Sequence, residues 1–106
     1  MAFIDLNDLE EKELVPGFHV HFVHSENMTF AYWTIEAGAA LPDHSHPHEQ
    51  VANVTDGEFE LNVGGEARVM TPGKVAVIPG GVPHSGKAIT DCKIIDVFYP
   101  VREDYK

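Results

Sequence analysis

The sequence predicts an all-β fold, a single small β-barrel formed by all 106 residues as one domain. Three observations carry this expectation. Seven short runs rich in β-branched and aromatic residues recur along the chain, at the roughly 8–12-residue spacing of a sandwich or barrel. Glycine and proline pairs separate those runs. The only helical pattern is the short, acidic stretch from Leu6 to Leu14.

Taken in order, Gly17 precedes FHVHFV, where Phe18, Val20 and Phe22 alternate with His19, His21 and Val23. Ser25-Glu26-Asn27 reads as a turn into TFAYWTIE, which Ala37-Gly38 closes. Further strands are read at QVANVT, EFELNV, EARVM, KVAVIP and CKIIDVFYP. The breaks fall at Asp56-Gly57, Gly64-Gly65, Pro72-Gly73 and Pro79-Gly80-Gly81, and Asp-Gly and Gly-Gly are hairpin signals. A sheet this small gains by closing on itself, because closure removes exposed edges.

Charge and composition exclude several classes of function. Seven basic and seventeen acidic residues give a net charge of −10. Binding to nucleic acid or to an anionic membrane through bulk charge needs the opposite balance. No apolar run approaches the ~20 residues of a membrane span. The first residues are acidic where a targeting peptide carries Lys or Arg. A lone cysteine, Cys92, excludes an intramolecular disulfide, and a cytoplasmic location is expected. Strands such as KIIDVFY are apolar on both faces, so a covered outer face and a homodimer are expected.

Histidine is the unusual residue. There are seven, and His44, His46 and His48 fall within five positions. His44 and His46 are two apart, so on an extended strand both point to one face. Two adjacent imidazoles suit a divalent transition metal. Gln50 can add an amide oxygen, and His84, after Pro79-Gly80-Gly81, can arrive from a distant strand. Pro47 disturbs the ladder, which sets His48 apart as exposed or as a neighbour of the ligands. His19, His21 and His24 read as surface or interface residues.

Two segments carry a family resemblance. Gly38, His44, His46 and Gly57 match G-x5-H-x-H-x3,4-E-x6-G, and Gly73, Pro79, Gly81 and His84 match G-x5-P-x-G-x2-H-x3-N. These are the two motifs of the cupins, which the sequence resembles over residues 38–88. The resemblance implies a six-strand jelly-roll barrel over most of the chain. The sequence departs from the pattern twice: Gln50 replaces the usual acidic ligand, and Ala88 the usual asparagine. Three imidazoles and an amide leave the charge of a divalent ion uncompensated, which favours an anionic ligand. Zn, Ni, Co, Fe and Mn all suit such a donor set.

The C-terminal run KIIDVFYPVREDYK places Asp96 within an otherwise apolar strand. Asp96 is either a hydrogen-bonded structural carboxylate or a general acid/base beside the metal. Arg102 offers a fork to a substrate carboxylate, or pairs with Glu103 or Asp104. H-S-H-P-H-E-Q and a D-x-F-x-P-x-R-E-D tail together resemble the KdgF family of small cupins. That family converts 4,5-unsaturated uronates from pectin or alginate breakdown into linear 4-deoxy-5-keto uronates. The resemblance implies a non-redox isomerase acting on a small anionic sugar. It implies that His44, His46, Gln50 and His84 bind metal and that Asp96, Phe98 and Arg102 occupy catalytic and substrate-contacting positions. A metal-dependent oxygenase, a non-catalytic sugar-binding cupin and a structural dimer with an idle metal are the alternatives.

Overall fold

The computed structural model describes residues 2–106. Ten strands follow one another: β1 (Lys12–Val15), β2 (Phe18–His24), β3 (Thr29–Ile35), β4 (Ala40–His44), β5 (Glu49–Asp56), β6 (Phe59–Val63), β7 (Glu66–Met70), β8 (Val75–Ile78), β9 (His84–Ala88) and β10 (Cys92–Tyr99). One-turn 3-10 helices lie at Leu6–Asp8 and Glu103–Tyr105. Two antiparallel sheets form, ordered β1-β2-β3-β10-β5-β8 and β4-β9-β6-β7. The all-β jelly-roll expectation is met, as a two-sheet sandwich of ten strands rather than a closed six-strand barrel. β1, β8, β4 and β7 remain as edges.

All seven strands read from alternation are present. The helical pattern from Leu6 to Leu14 is not a helix. It supplies one 3-10 turn, and then Lys12–Val15 pairs with β2. Nine residues are too few for a helix to stand without an apolar face to bury, and an edge strand beside β2 satisfies the same backbone groups. The Gly64-Gly65 hairpin joins β6 and β7 with both glycines at positive φ, 56° and 89°, the requirement of a two-residue turn. Asp56-Gly57 is not a hairpin turn. It carries the chain from β5 in one sheet to β6 in the other. Gly57 has φ 78°, and a Cβ there would stand 2.1 Å from the Asp91 carbonyl oxygen, so the crossing requires glycine.

The inner faces meet in a core of Phe18, Ile35, Val54, Phe59, Leu61, Met70, Ile78 and Ile94. At one end this apolar filling gives way to polar side chains. Among the described residues no helix is long and apolar enough to cross a membrane.

Candidate metal centre

Alternation on three neighbouring strands aims a group of side chains between the sheets. Gln50 on β5 pairs with Phe98 on β10, and Asp96 lies one inward position further along. Trp33 on β3 is diagonal to Asp96, which pairs with Ala31. The opposite sheet supplies two histidines as a cross-strand pair, His44 on β4 facing His84 on β9. His46 arrives from the loop after β4. The two histidines of the His-x-His segment are therefore not co-facial on one strand, because β4 ends at His44. His48 is half-buried beside them and contributes its carbonyl oxygen.

The three imidazoles share one arrangement. Each Nδ1–H donates to a main-chain carbonyl two residues away: His44 to Pro42 at 2.8 Å, His46 to His48 at 3.1 Å, His84 to Val82 at 2.9 Å. A proton fixed on Nδ1 leaves the Nε2 lone pair free for a cation. One nitrogen from each of the three lies within 4.8 Å of the others. His84 Nε2 is buried and has no hydrogen-bond partner. His46 Nε2 stands 3.1 Å from Gln50 Oε1, close enough for both to face one cation. Burial holds His46 down at about 4, with help from the Arg102 charge. Burial also lowers His84. Both rings are therefore neutral near pH 7, as ligands must be. This donor set fits a divalent ion, and the histidine triad can hold one.

One cavity, open to solvent, is lined by all seven residues singled out in the sequence: His44, His46, Gln50, His84, Asp96, Phe98 and Arg102. Gln50, His84, Asp96 and Arg102 are buried, between 3% and 8% exposed. Asp96 Oδ2 accepts from Trp33 Nε1–H at 3.0 Å, while Oδ1 is buried without a partner. Burial pushes the carboxyl up to about 7, and the Gln50 amide, the indole N–H and the Arg102 charge pull the other way. Trp33 thus orients Asp96. One side of the Arg102 fork is already taken. Its Nε and Nη2 already hold Asp104, at 3.0 and 2.7 Å.

Tyr105 went unnoticed in the sequence, yet it lines the cavity. It stacks on Phe22, ring centroids 4.5 Å apart. The signal was present in its spacing from Arg102, since residues three apart eclipse on a 3-10 turn. His19 and His21 lie on the outer surface against Glu11, Glu13 and Glu36. A second His/Glu group there, Glu13, His19 and Glu36, is exposed and satisfied by its own ion pairs.

Two antiparallel sheets enclosing a histidine cluster at one end define a cupin, and the cupin domain family matches residues 31–98; the chain belongs to that family. Within it, the chain is similar to the structure of KdgF from Halomonas sp., with TM-score 0.92 and 28% identity over 100% of this chain and 99% of that one. It is similar also to an RmlC-like cupin from Shewanella frigidimarina, with TM-score 0.94 and 29% identity over 100% and 96%. Uncharacterized protein SCO3923 of Streptomyces coelicolor is 29% identical over 102 residues, 94% of this chain and 97% of that protein.

Proposed function

We propose that this cupin isomerises 4,5-unsaturated uronates to linear 4-deoxy-5-keto uronates, as part of pectin or alginate breakdown. The observation that carries the proposal is the pairing, in one cavity, of a metal-competent histidine triad with a buried carboxyl that has a free oxygen. The likeness to KdgF along the whole chain supports it. In this reading His44, His46, Gln50 and His84 hold a divalent transition metal, one of Zn, Ni, Co, Fe or Mn. Bound there, the ion supplies Lewis-acid stabilisation of negative charge on substrate oxygens.

The protein's own groups do the rest. With neutral ligands and the Arg102 guanidinium nearby, the cavity is strongly cationic once loaded, which selects a carboxylate-bearing sugar. Arg102 holds that carboxylate, and Phe98 and Trp33 form the wall against the ring. Opening breaks the C1–O bond of the cyclic hemiacetal: the C1 hydroxyl loses a proton and becomes the aldehyde, and the ring oxygen keeps the bond's electron pair and stays on C5 as an enolate. Asp96, whose carboxyl burial pushes up to about 7 in the metal-free protein, delivers a proton to C4 as the C5 ketone forms. One proton is lost and one gained, and no electrons are exchanged. The test is loss of the conjugated C=C absorbance of a freshly made unsaturated galacturonate or mannuronate monomer. Acceleration over the spontaneous rate that a chelator abolishes supports the proposal; none with either sugar, in metal-loaded protein, refutes it.

A homodimer and a cytoplasmic location belong to the same proposal. On the outer face of the large sheet, Val23, Phe30, Val97, Val51 and Val77 form one row across five strands. His21, Tyr32, Ile95, Asn53 and Val75 form the next. These ten positions carry none of the chain's seventeen acidic residues. Two rows across five strands present roughly 300 Å² of flat face, a centre around which a standard interface of ~800 Å² per partner can form. A second copy packed face to face satisfies it. The free thiol of Cys92 is consistent with a reducing compartment.

A further inference from the structure

The C-terminal turn does more than terminate the chain. Four contacts fix Arg102 before any ligand arrives. Its main-chain N–H donates to the hydroxyl of fully buried Thr29 at 2.8 Å. Its Nε and Nη2 are held by the two oxygens of Asp104. The guanidinium carbon lies 4.0 Å from the ring centre of Tyr105 and 4.8 Å from that of Phe98. Both rings and the guanidinium line the cavity, whereas the Asp104 carboxylate is exposed.

A guanidinium has five N–H donors in a fixed plane, and Asp104 occupies the Nε side. The opposite edge, Nη1 with the second N–H of Nη2, has the spacing of a carboxylate. An arginine with free torsions loses entropy on ordering when it binds; one already clamped loses less. The same charge on an unanchored side chain would also swing toward solvent and away from the cavity.

We propose that Asp104 is a positioning residue: with Tyr105 as backing, it locks Arg102 so that the Nη edge meets the carboxylate of an anionic ligand, and thereby sets the preference for acid over neutral sugar. This deepens the uronate reading and rests on it. Asp104 touches no ligand itself and acts through Arg102.

The experiment uses zinc-loaded full-length protein and unreactive probes: saturated galacturonate and its neutral methyl ester, titrated calorimetrically. The ratio of the two affinities is the readout. The parent prefers the acid. Asp104→Asn reduces that preference about tenfold, with zinc content unchanged, and Asp104→Glu restores part of it. In an Arg102→Gln background, Asp104→Asn has no further effect, because the residue it positions is gone. A purely structural role would instead weaken both probes together and lower the melting temperature without changing the ratio. The proposal is overturned if the parent binds acid and ester equally, if Asp104→Asn keeps the ratio, or if its effect persists without Arg102. The probes are not consumed, so a failure of the proposed isomerisation is seen separately, as absent turnover of the unsaturated sugar.

Discussion

Replacing Asp96 by Asn pulls activity and stability in opposite directions, and the size of each follows from the geometry. The carboxyl is buried, with one oxygen on the Trp33 indole and the other without a partner. Burial raises it from the ordinary 3.8 to about 7. A carboxyl raised on folding contributes its full stability below pH 3.8, and that contribution is lost as pH rises through about 7. In metal-free protein at pH 8 the ionised group therefore costs the fold up to about 4 kcal/mol. Asparagine keeps the shape and removes the charge. It remains a buried amide, so the net gain is between about 1 and 4 kcal/mol at pH 8, seen as a melting temperature several degrees higher. The gain shrinks toward zero near pH 4. Turnover of unsaturated uronate by the metal-loaded variant falls by about 10²–10⁴, the usual contribution of a positioned general acid. Chelated samples melted between pH 4 and 8, paired with absorbance kinetics on loaded samples, read both effects. A variant no more stable than its parent at pH 8 refutes the burial argument. A variant with parental turnover removes Asp96 from the chemistry.

Four further outcomes are expected. His84→Ala abolishes stoichiometric binding of a divalent transition metal, measured by elemental analysis after gel filtration, while the β-sheet circular dichroism is retained. Trp33→Phe removes the N–H that stabilises the Asp96 carboxylate, so the alkaline limb of the pH–rate profile moves to higher pH. Gly57→Ala forces a Cβ against the Asp91 carbonyl at positive φ and destabilises by about 2–4 kcal/mol in urea unfolding. Val97→Asp, at the centre of the apolar outer face, converts a dimer to a monomer in sedimentation and leaves metal content unchanged.

Much of the architecture was readable because β2, β3, β5, β6, β7, β8 and β10 alternate or are rich in branched side chains. The strands that carry the histidines were harder to read. β4 runs ALPDH, with Pro42 inside it, and β9 runs HSGKA. Neither has an apolar period. Gly86 is there because the Phe59 ring lies 2.3 Å from where a Cβ would stand, a constraint imposed by the neighbouring strand β6. Motif spacing nonetheless drew together His44, His46, Gln50 and His84, which line one cavity, since it records how many residues the turns need. Spacing cannot say which groups meet across strands. The Trp33–Asp96 hydrogen bond joins residues 63 apart. The pairing of Arg102 with Asp104 stood in the sequence only as one of two options, and packing against Tyr105 and Thr29 decides how the guanidinium is held.

The fate of the proton at C4 tests the proposed isomerisation most sharply. Metal-loaded protein is allowed to convert an unsaturated uronate in deuterium oxide, and the product is trapped early and analysed by NMR. One deuteron is expected at C4, on a single face, formed faster than the spontaneous reaction, with the facial preference and the acceleration both lost in Asp96→Asn. Label distributed equally over both faces at the spontaneous rate would contradict it.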